Sequence, residues 1–216
     1  MKRILCYGDS NTYGFIPIEC GRYDENTRWS GRLKKLLGEE YLIIEEGCNG
    51  RTCVLDDPRE DGKNGLKSLL PCLEENCPVD LVVLMLGSND LKCYFKVNAE
   101  QISLGAEVLV KTILNVTEEK QGKPAKLLLM SPPEIAENVK DSMFYPDFDE
   151  VSLKNSKEFK RYYRAVAERN GCEFMSAADY VTASELDSLH LDPDAHKKLA
   201  EAVAEKIKQI FTNLQE

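Results

Sequence analysis

Histidine is scarce in this 216-residue chain, which has only His190 and His196. A three-histidine metal site is therefore excluded, no His-Glu-x-x-His run exists, and no catalytic metal is expected. There is no Gly-x-x-x-x-Gly-Lys-Ser/Thr loop, no Gly-x-Gly-x-x-Gly after the first apolar run and no Gly-x-Ser-x-Gly turn. Phosphate loops, dinucleotide sites and the usual nucleophile elbow thus lack support, and no cofactor is expected. The eight cysteines include no Cys-x-x-Cys pair and read as reduced thiols, mostly buried or incidental. Basic clusters are missing too: 28 Lys+Arg stand against 37 Asp+Glu, a net charge of −9, which argues against a nucleic-acid partner. The opening run Met1 to Gly8 starts basic, but its apolar stretch ends at Gly8-Asp9, too early for a signal-peptide core or a membrane span. A cytoplasmic protein with no membrane partner is expected. With no internal repeat, low-complexity tract or Gly/Ser linker, one domain over 1–216 is the expectation.

What is present is ordinary for a folded chain: 43% hydrophobic and 30% charged residues. Short apolar runs recur at Ile4–Tyr7, Tyr41–Ile44, Leu81–Leu86 and Leu127–Met130, with a weaker one at Glu173–Met175, and predict five buried parallel strands. Helical spacing lies between them, as in Ile102, Ala106, Leu109 and Ile113, and earlier in Trp29, Leu33 and Leu36. The alternation implies an α/β fold, a three-layer α/β/α sandwich. A final helix opens with Asp192 as cap and Pro193 in the first position, and carries a stripe of Leu199, Val203, Ile207, Ile210 and Leu214. The longest irregular stretches, 56–64 and 132–150, are of the kind that shapes binding sites.

Ligands of open parallel sheets bind beyond the carboxyl ends of the strands. After the first strand comes Gly8-Asp9-Ser10-Asn11, where Ser10 taken alone reads more readily as a helix cap than as a nucleophile. After the second comes Gly47-Cys48-Asn49-Gly50-Arg51, by itself a turn whose glycines could bring a backbone N–H close to a ligand. After the third comes Gly87-Ser88-Asn89-Asp90, with an Asn amide that is either a turn former or a donor to a developing oxyanion. Asp187-Ser188-Leu189-His190 precedes the last helix. That spacing lets a turn set the carboxylate on Nδ1 and leaves Nε2 free to take a proton from Ser10. His196 lies on or beside the apolar stripe and reads as a packing or solvated residue. Asp9 reads as structural, because adjacent side chains diverge and Asp187 has the better relation to His190. Tyr13, Phe15, Trp29 and Phe95 are candidates either for an apolar pocket or for the core.

Together, in this order and over nearly the whole chain, the four blocks resemble the SGNH (GDSL-type) hydrolase family. Arg28-Trp29-Ser30-Gly31, Glu45-Glu46-Gly47, Arg51-Thr52, Asp57-Pro58 and Met85-Leu86-Gly87-Ser88-Asn89-Asp90 are similar to its arylesterase/acyltransferase branch. The resemblance implies a flavodoxin-like sheet, Ser10 as nucleophile, His190 as general base then acid, and Asp187 orienting the imidazole. It also implies an oxyanion hole from the Ser10 N–H, a Gly-block N–H and the Asn89 side chain, with Gly50 fitting the branch pattern better than Gly47. The chain departs from the pattern at Asn11, where many relatives carry Leu, and at Ser188, where relatives often have Gly.

The implied activity is a serine esterase that hydrolyses small, short-chain esters such as acetyl esters, or transfers their acyl group. A carbohydrate acetylesterase or deacetylase is the alternative, and a flavodoxin-like binding module without turnover is a reading of another class. The expected partner is a small-molecule ester. Homo-oligomerisation is raised by relatives whose neighbouring subunits narrow the active-site entrance.

Overall fold

Side chains alternate across the central strands, and that alternation divides the core into two halves. A computed structural model describes residues 1–212. Five strands are present: β1 (Lys2–Gly8), β2 (Tyr41–Gly47), β3 (Leu81–Met85), β4 (Lys126–Ser131) and β5 (Glu173–Ser176). They are all parallel, in the order β2-β1-β3-β4-β5. The six α-helices among the described residues are α1 (Ser10–Tyr13), α2 (Trp29–Leu37), α3 (Gly65–Asn76), α4 (Ala99–Gln121), α5 (Glu150–Asn170) and α6 (Pro193–Thr212).

Leu5, Tyr7, Val82, Leu84, Leu127 and Leu129 face one way and pack with Leu69, Ile102, Leu109, Phe159 and Tyr163 of α3, α4 and α5. Ile4, Cys6, Val83, Met85, Leu128 and Met130 face the other way, onto Trp29 and Leu33 of α2 and Leu199, Val203 and Ile207 of α6. Both faces are covered, which is why these strands read as continuous apolar runs. Each fully buried Leu, Ile or Val contributes about 1.5–3 kcal/mol through removal from water. The expected three-layer sandwich is therefore the observed one, and the strand order is flavodoxin-like.

Local signals hold with one shift. Asp192 Oδ1 accepts from the Ala195 N–H at 2.8 Å and caps α6, and the stripe from Leu199 to Ile210 is buried; Leu214 lies outside the described residues. On α2, Leu37 takes the inward position and Leu36 is only partly buried, because the helix keeps its i, i+4 spacing from Leu33. No helix among the described residues is long and apolar enough to cross a membrane.

The chain leaves β1 for β2 on one side and then crosses to β3 on the other, so the connections after β1 and β3 diverge and open a crevice at the carboxyl ends of the strands. Two glycines let backbone close in around it. A Cβ on Gly8 would lie 2.1 Å from Thr12 Oγ1, and one on Gly47 would lie 2.2 Å from the Tyr13 nitrogen and 2.5 Å from its Cα. The end of β2 thus supports α1 directly, with backbone as the obstacle. Gly47→Ala is expected to cost about 1–3 kcal/mol, as overpacked sites do. Denaturant unfolding checks this, and an unchanged midpoint would mean that α1 does not rest on Gly47.

Candidate active site

Gly8 ends β1, and Asp9, in extended conformation, caps the single turn of α1 by accepting from the Asn11 N–H at 3.0 Å. Ser10 is the first residue of that turn, and Gly14, at φ 86°, closes it in the left-handed region that glycine tolerates. The cap is thus Asp9 and not Ser10, which corrects the reading of Ser10 as a helix cap: Ser10 is the first helical residue, and its hydroxyl is not spent on the helix start.

Its Oγ lies 2.8 Å from His190 Nε2, and His190 Nδ1 lies 2.7 Å from Asp187 Oδ2. The other carboxylate oxygen, Oδ1, accepts from the N–H groups of Leu189 (3.0 Å) and His190 (2.9 Å). This is an Asx-type turn, and the three-residue spacing produces it. Burial opposes ionisation of Asp187. The His190 ring and the N–H groups of His190 and Leu189 outweigh it and hold the pKa below the usual carboxylate value. The site therefore carries an anion against one ring nitrogen and a hydroxyl against the other.

Ser188 has φ 67°, the backbone region in which a side chain costs about 1–2 kcal/mol. That explains why relatives often place glycine there. Here the strain is held by the Ser188 hydroxyl on Asn138 Oδ1 at 3.0 Å, by the Ser188 N–H on the Ser184 carbonyl and by the Ala136 N–H on the Ser188 carbonyl.

Gly50 and Asn89 face the same cavity as Ser10 and His190, a space of about 440 Å³. Gly50, at φ 77°, lines the cavity beside the side-chain ends of Glu60 and Lys63, which a Cβ there would meet at 3.0 and 3.3 Å, whereas Gly47 is packed against Tyr13 backbone. Of the two glycines, Gly50 is the one that lines the cavity. The Ser10 and Gly50 N–H groups donate to no acceptor among the described residues. Asn89 spends one amide hydrogen on the Arg51 carbonyl at 3.1 Å, which leaves the other.

Beneath these donors, Arg51 stacks on the Tyr7 ring at 4.2 Å and donates to the carbonyls of Gly8 and Glu46, tying the ends of β1 and β2 together. Alongside, Arg28 grips Glu45 with two bonds of 2.6 and 2.9 Å. Ser30 Oγ lies within 3.0 Å of both Glu45 and the Thr12 carbonyl, which fastens α2 to β2 and α1.

Of the four candidate aromatic residues, only Phe15 lines the cavity. Its ring lies 4.3 Å from the His190 ring, and the Phe144 ring lies edge-on to it at 5.6 Å. Trp29 is completely buried in the half of the core under α6, because α2 turns that face to the sheet. Tyr13 sits under the Arg22 guanidinium, and Phe95 packs on Tyr94. The lining missed from sequence comes from the two long loops, with Phe144, Asp147 and Phe148 from one and Asp57, Arg59, Glu60 and Lys63 from the other, and from the turn after β3, with Lys92 and Tyr94. The length of the two loops was the available signal.

These loops and the turn after β3 build a polar wall. Asp57 holds Lys92 at 2.7 Å and Tyr94 Oη at 2.8 Å, and Arg59 makes two 2.7 Å contacts with Asp147 while lying over the Tyr94 ring. Among the described residues, no three His, Cys, Asp or Glu side chains come together to hold a metal.

His196 is fully buried, accepts from the Trp29 N–H at 3.2 Å, and is kept neutral by burial, its pKa pushed down to about 3. The expected packing role fits that position. Asp9 and Asp90 are also buried. Desolvation raises Asp9 to about 6 against the opposing N–H of Asn11, and raises Asp90 to about 7 against that of Cys53, with the Asp9 charge adding to the rise. Both start from 3.8, so between about pH 4 and 7 the folded chain binds more protons at these sites than the unfolded one, and their contribution to stability is lost as pH rises. His196 acts oppositely, since unfolding there takes up a proton. A variant difference isolates one group: relative to wild type, Asp90→Asn should gain melting temperature steadily from about pH 4 to about 7. A pH-independent difference would contradict the raised Asp90 value.

A family model described as the GDSL-like lipase/acylhydrolase family matches residues 6–198. Among solved structures, the native aryl esterase of M. smegmatis is 34% identical, with a TM-score of 0.91 over 97% of this chain and 99% of that one. A carbohydrate acetylesterase from Sinorhizobium meliloti is 35% identical, with a TM-score of 0.91 over 97% and 100%. A carbohydrate acetylesterase family member from the same organism is 31% identical, with a TM-score of 0.90 over 97% and 98%. The search of curated proteins gave no match.

Proposed function

Since the chain belongs to the GDSL-like lipase/acylhydrolase family and is a carboxylic ester hydrolase, we propose that Ser10 is its nucleophile and that the reaction runs through an acyl-serine. The observation that carries this reading is the unbroken line from Asp187 through His190 to Ser10, at 2.7 and 2.8 Å, on the wall of a cavity that also holds Gly50 and Asn89.

Ser10 Oγ forms a bond to the ester carbonyl carbon as its proton passes to His190 Nε2. The carbonyl oxygen becomes an oxyanion held by the N–H groups of Ser10 and Gly50 and the spare amide hydrogen of Asn89. Collapse breaks the carbon–oxygen bond to the alcohol, which leaves with the proton from His190. Water, or another nucleophile in an acyl transfer, then repeats the sequence on the acyl-serine. Asp187 stays ionised throughout and steadies the imidazolium.

A preference for short acyl groups is supported by Phe15 and Phe144, cavity-lining rings that lie 4.3 and 5.6 Å from the His190 ring beside Ser10. The polar wall supports a second reading, in which the alcohol part is an acetylated sugar. Every cation there has an acidic partner, Lys92 with Asp57, Arg59 with Asp147 and Lys63 with Glu60. Such a wall suits a neutral alcohol rich in hydroxyls.

A panel of p-nitrophenyl esters of rising chain length, followed by acetylated sugars, separates the two. Ser10→Ala should abolish nearly all turnover with the fold retained, and Asn89→Ala should lower kcat about 100- to 1,000-fold with a smaller effect on KM. Wild-type turnover by Ser10→Ala would overturn the assignment.

A further inference from the structure

Asn11 does something that the proposed chemistry does not require of a residue next to the nucleophile. Its side chain is almost wholly buried, and its amide grips the backbone on both sides of His190: Nδ2 donates to the Leu189 carbonyl at 3.2 Å, and Oδ1 accepts from the Leu191 N–H at 3.1 Å. On the opposite edge, the His190 N–H goes to Asp187 Oδ1 at 2.9 Å, and the His190 carbonyl accepts from the Ser184 N–H at 2.8 Å. All four groups of the two peptides flanking His190 are therefore satisfied. Asn11 supplies two of them, as a neighbouring strand would.

This matters because His190 lies in no strand or helix. Its other tethers, through Ser184, Asp187, Asn138, Ala136 and Ser142, tie the 184–191 segment to itself and to the loop after β4. Among the described residues, the only hydrogen bonds from α1 to this segment are the two from Asn11 and the Ser10–His190 contact itself. Asp187 and His190 share one turn and would stay paired wherever that turn sat. Ser10 and His190 would not.

We infer that Asn11 is a positioning residue that sets the reach from His190 Nε2 to Ser10 Oγ, leaving the Asp187–His190 pair to its own turn. A leucine at this position, as in many members of the resembling family, offers neither donor nor acceptor, so this chain does with hydrogen bonds what a leucine must leave to packing. The inference rests on Ser10 being the nucleophile.

The test compares wild type with Asn11→Leu and with Asn11→Asp, which keeps the shape and the acceptor but loses the donor. Three quantities are read on folded protein: kcat and KM on p-nitrophenyl acetate, the rate at which a fluorophosphonate labels Ser10, and the downfield NMR proton of His190 Nδ1 on Asp187. In Asn11→Leu, kcat and labelling rate should fall at least about tenfold with KM within about twofold, since small misplacements of reacting groups act on rate. The downfield proton should persist, and Asn11→Asp should fall in between.

Labelling within about twofold of wild type in both variants would overturn the inference. So would loss of the downfield proton together with activity, because the whole turn would then have collapsed. If Asn11→Leu does not fold, Asn11→Asp carries the same comparison. Failure of wild type itself to label at Ser10 would instead strike at the nucleophile assignment, so the two failures are distinguishable.

Discussion

A 2.8 Å contact between residues 180 positions apart, Ser10 Oγ and His190 Nε2, is the constraint to which the rest of the structure answers. Ser10 is fixed early, by the end of β1 and a one-turn helix pressed against β2 through Gly47. His190 arrives late, on irregular chain after the edge strand β5, and must be brought back to the crevice between β1 and β3. No strand or helix includes that segment. Discrete side chains hold it instead: Asp187 from within, Ser142 and Asn138 from the loop after β4, and Asn11 from α1.

The same crevice gathers groups that cost stability. Asp9 and Asp90 are buried next to Ser10 and Asn89 in the chain, and desolvation lifts their pKa values to about 6 and 7. Each also performs a structural task as an acceptor, Asp9 for the Asn11 N–H at the start of α1 and Asp90 for the Cys53 N–H at the start of the long loop after β2. Acceptors placed there fix the two loops that carry Ser10 and Gly50, at the expense of a charge held away from water. The polar wall follows a similar logic. The ion pair of Asp57 and Lys92 is nearly buried and joins the loop after β2 to the turn after β3, so the cavity keeps its shape without a regular element behind it.

The fold was legible because both faces of the sheet are covered. Continuous apolar runs marked β1, β3 and β4, and the amphipathic stripe of α6 with its Asp192-Pro193 start was visible without any partner. The candidate site was legible where local spacing builds the geometry: Asp187 reaches His190 through a turn of four residues, and Ser10, Gly50 and Asn89 each follow a strand. The aromatic lining was not. Tyr13, Phe15, Trp29 and Phe95 look alike in sequence, yet only Phe15 reaches the cavity, because which way a side chain faces there depends on what α1 and α2 pack against. Phe144 and Phe148 sit in a loop with no period to announce them.

By itself, then, the sequence determined the layer architecture and the residue types able to carry out acyl transfer, since these follow from hydrophobic period, cap chemistry and four short blocks in order. Only the tertiary structure decided that Gly50 and not Gly47 faces the cavity, that Asn11 braces His190, and that paired charges and aromatic rings line the same cavity. Those outcomes depend on contacts between segments far apart in the chain, and a segment's own residues do not encode what will lie across from it.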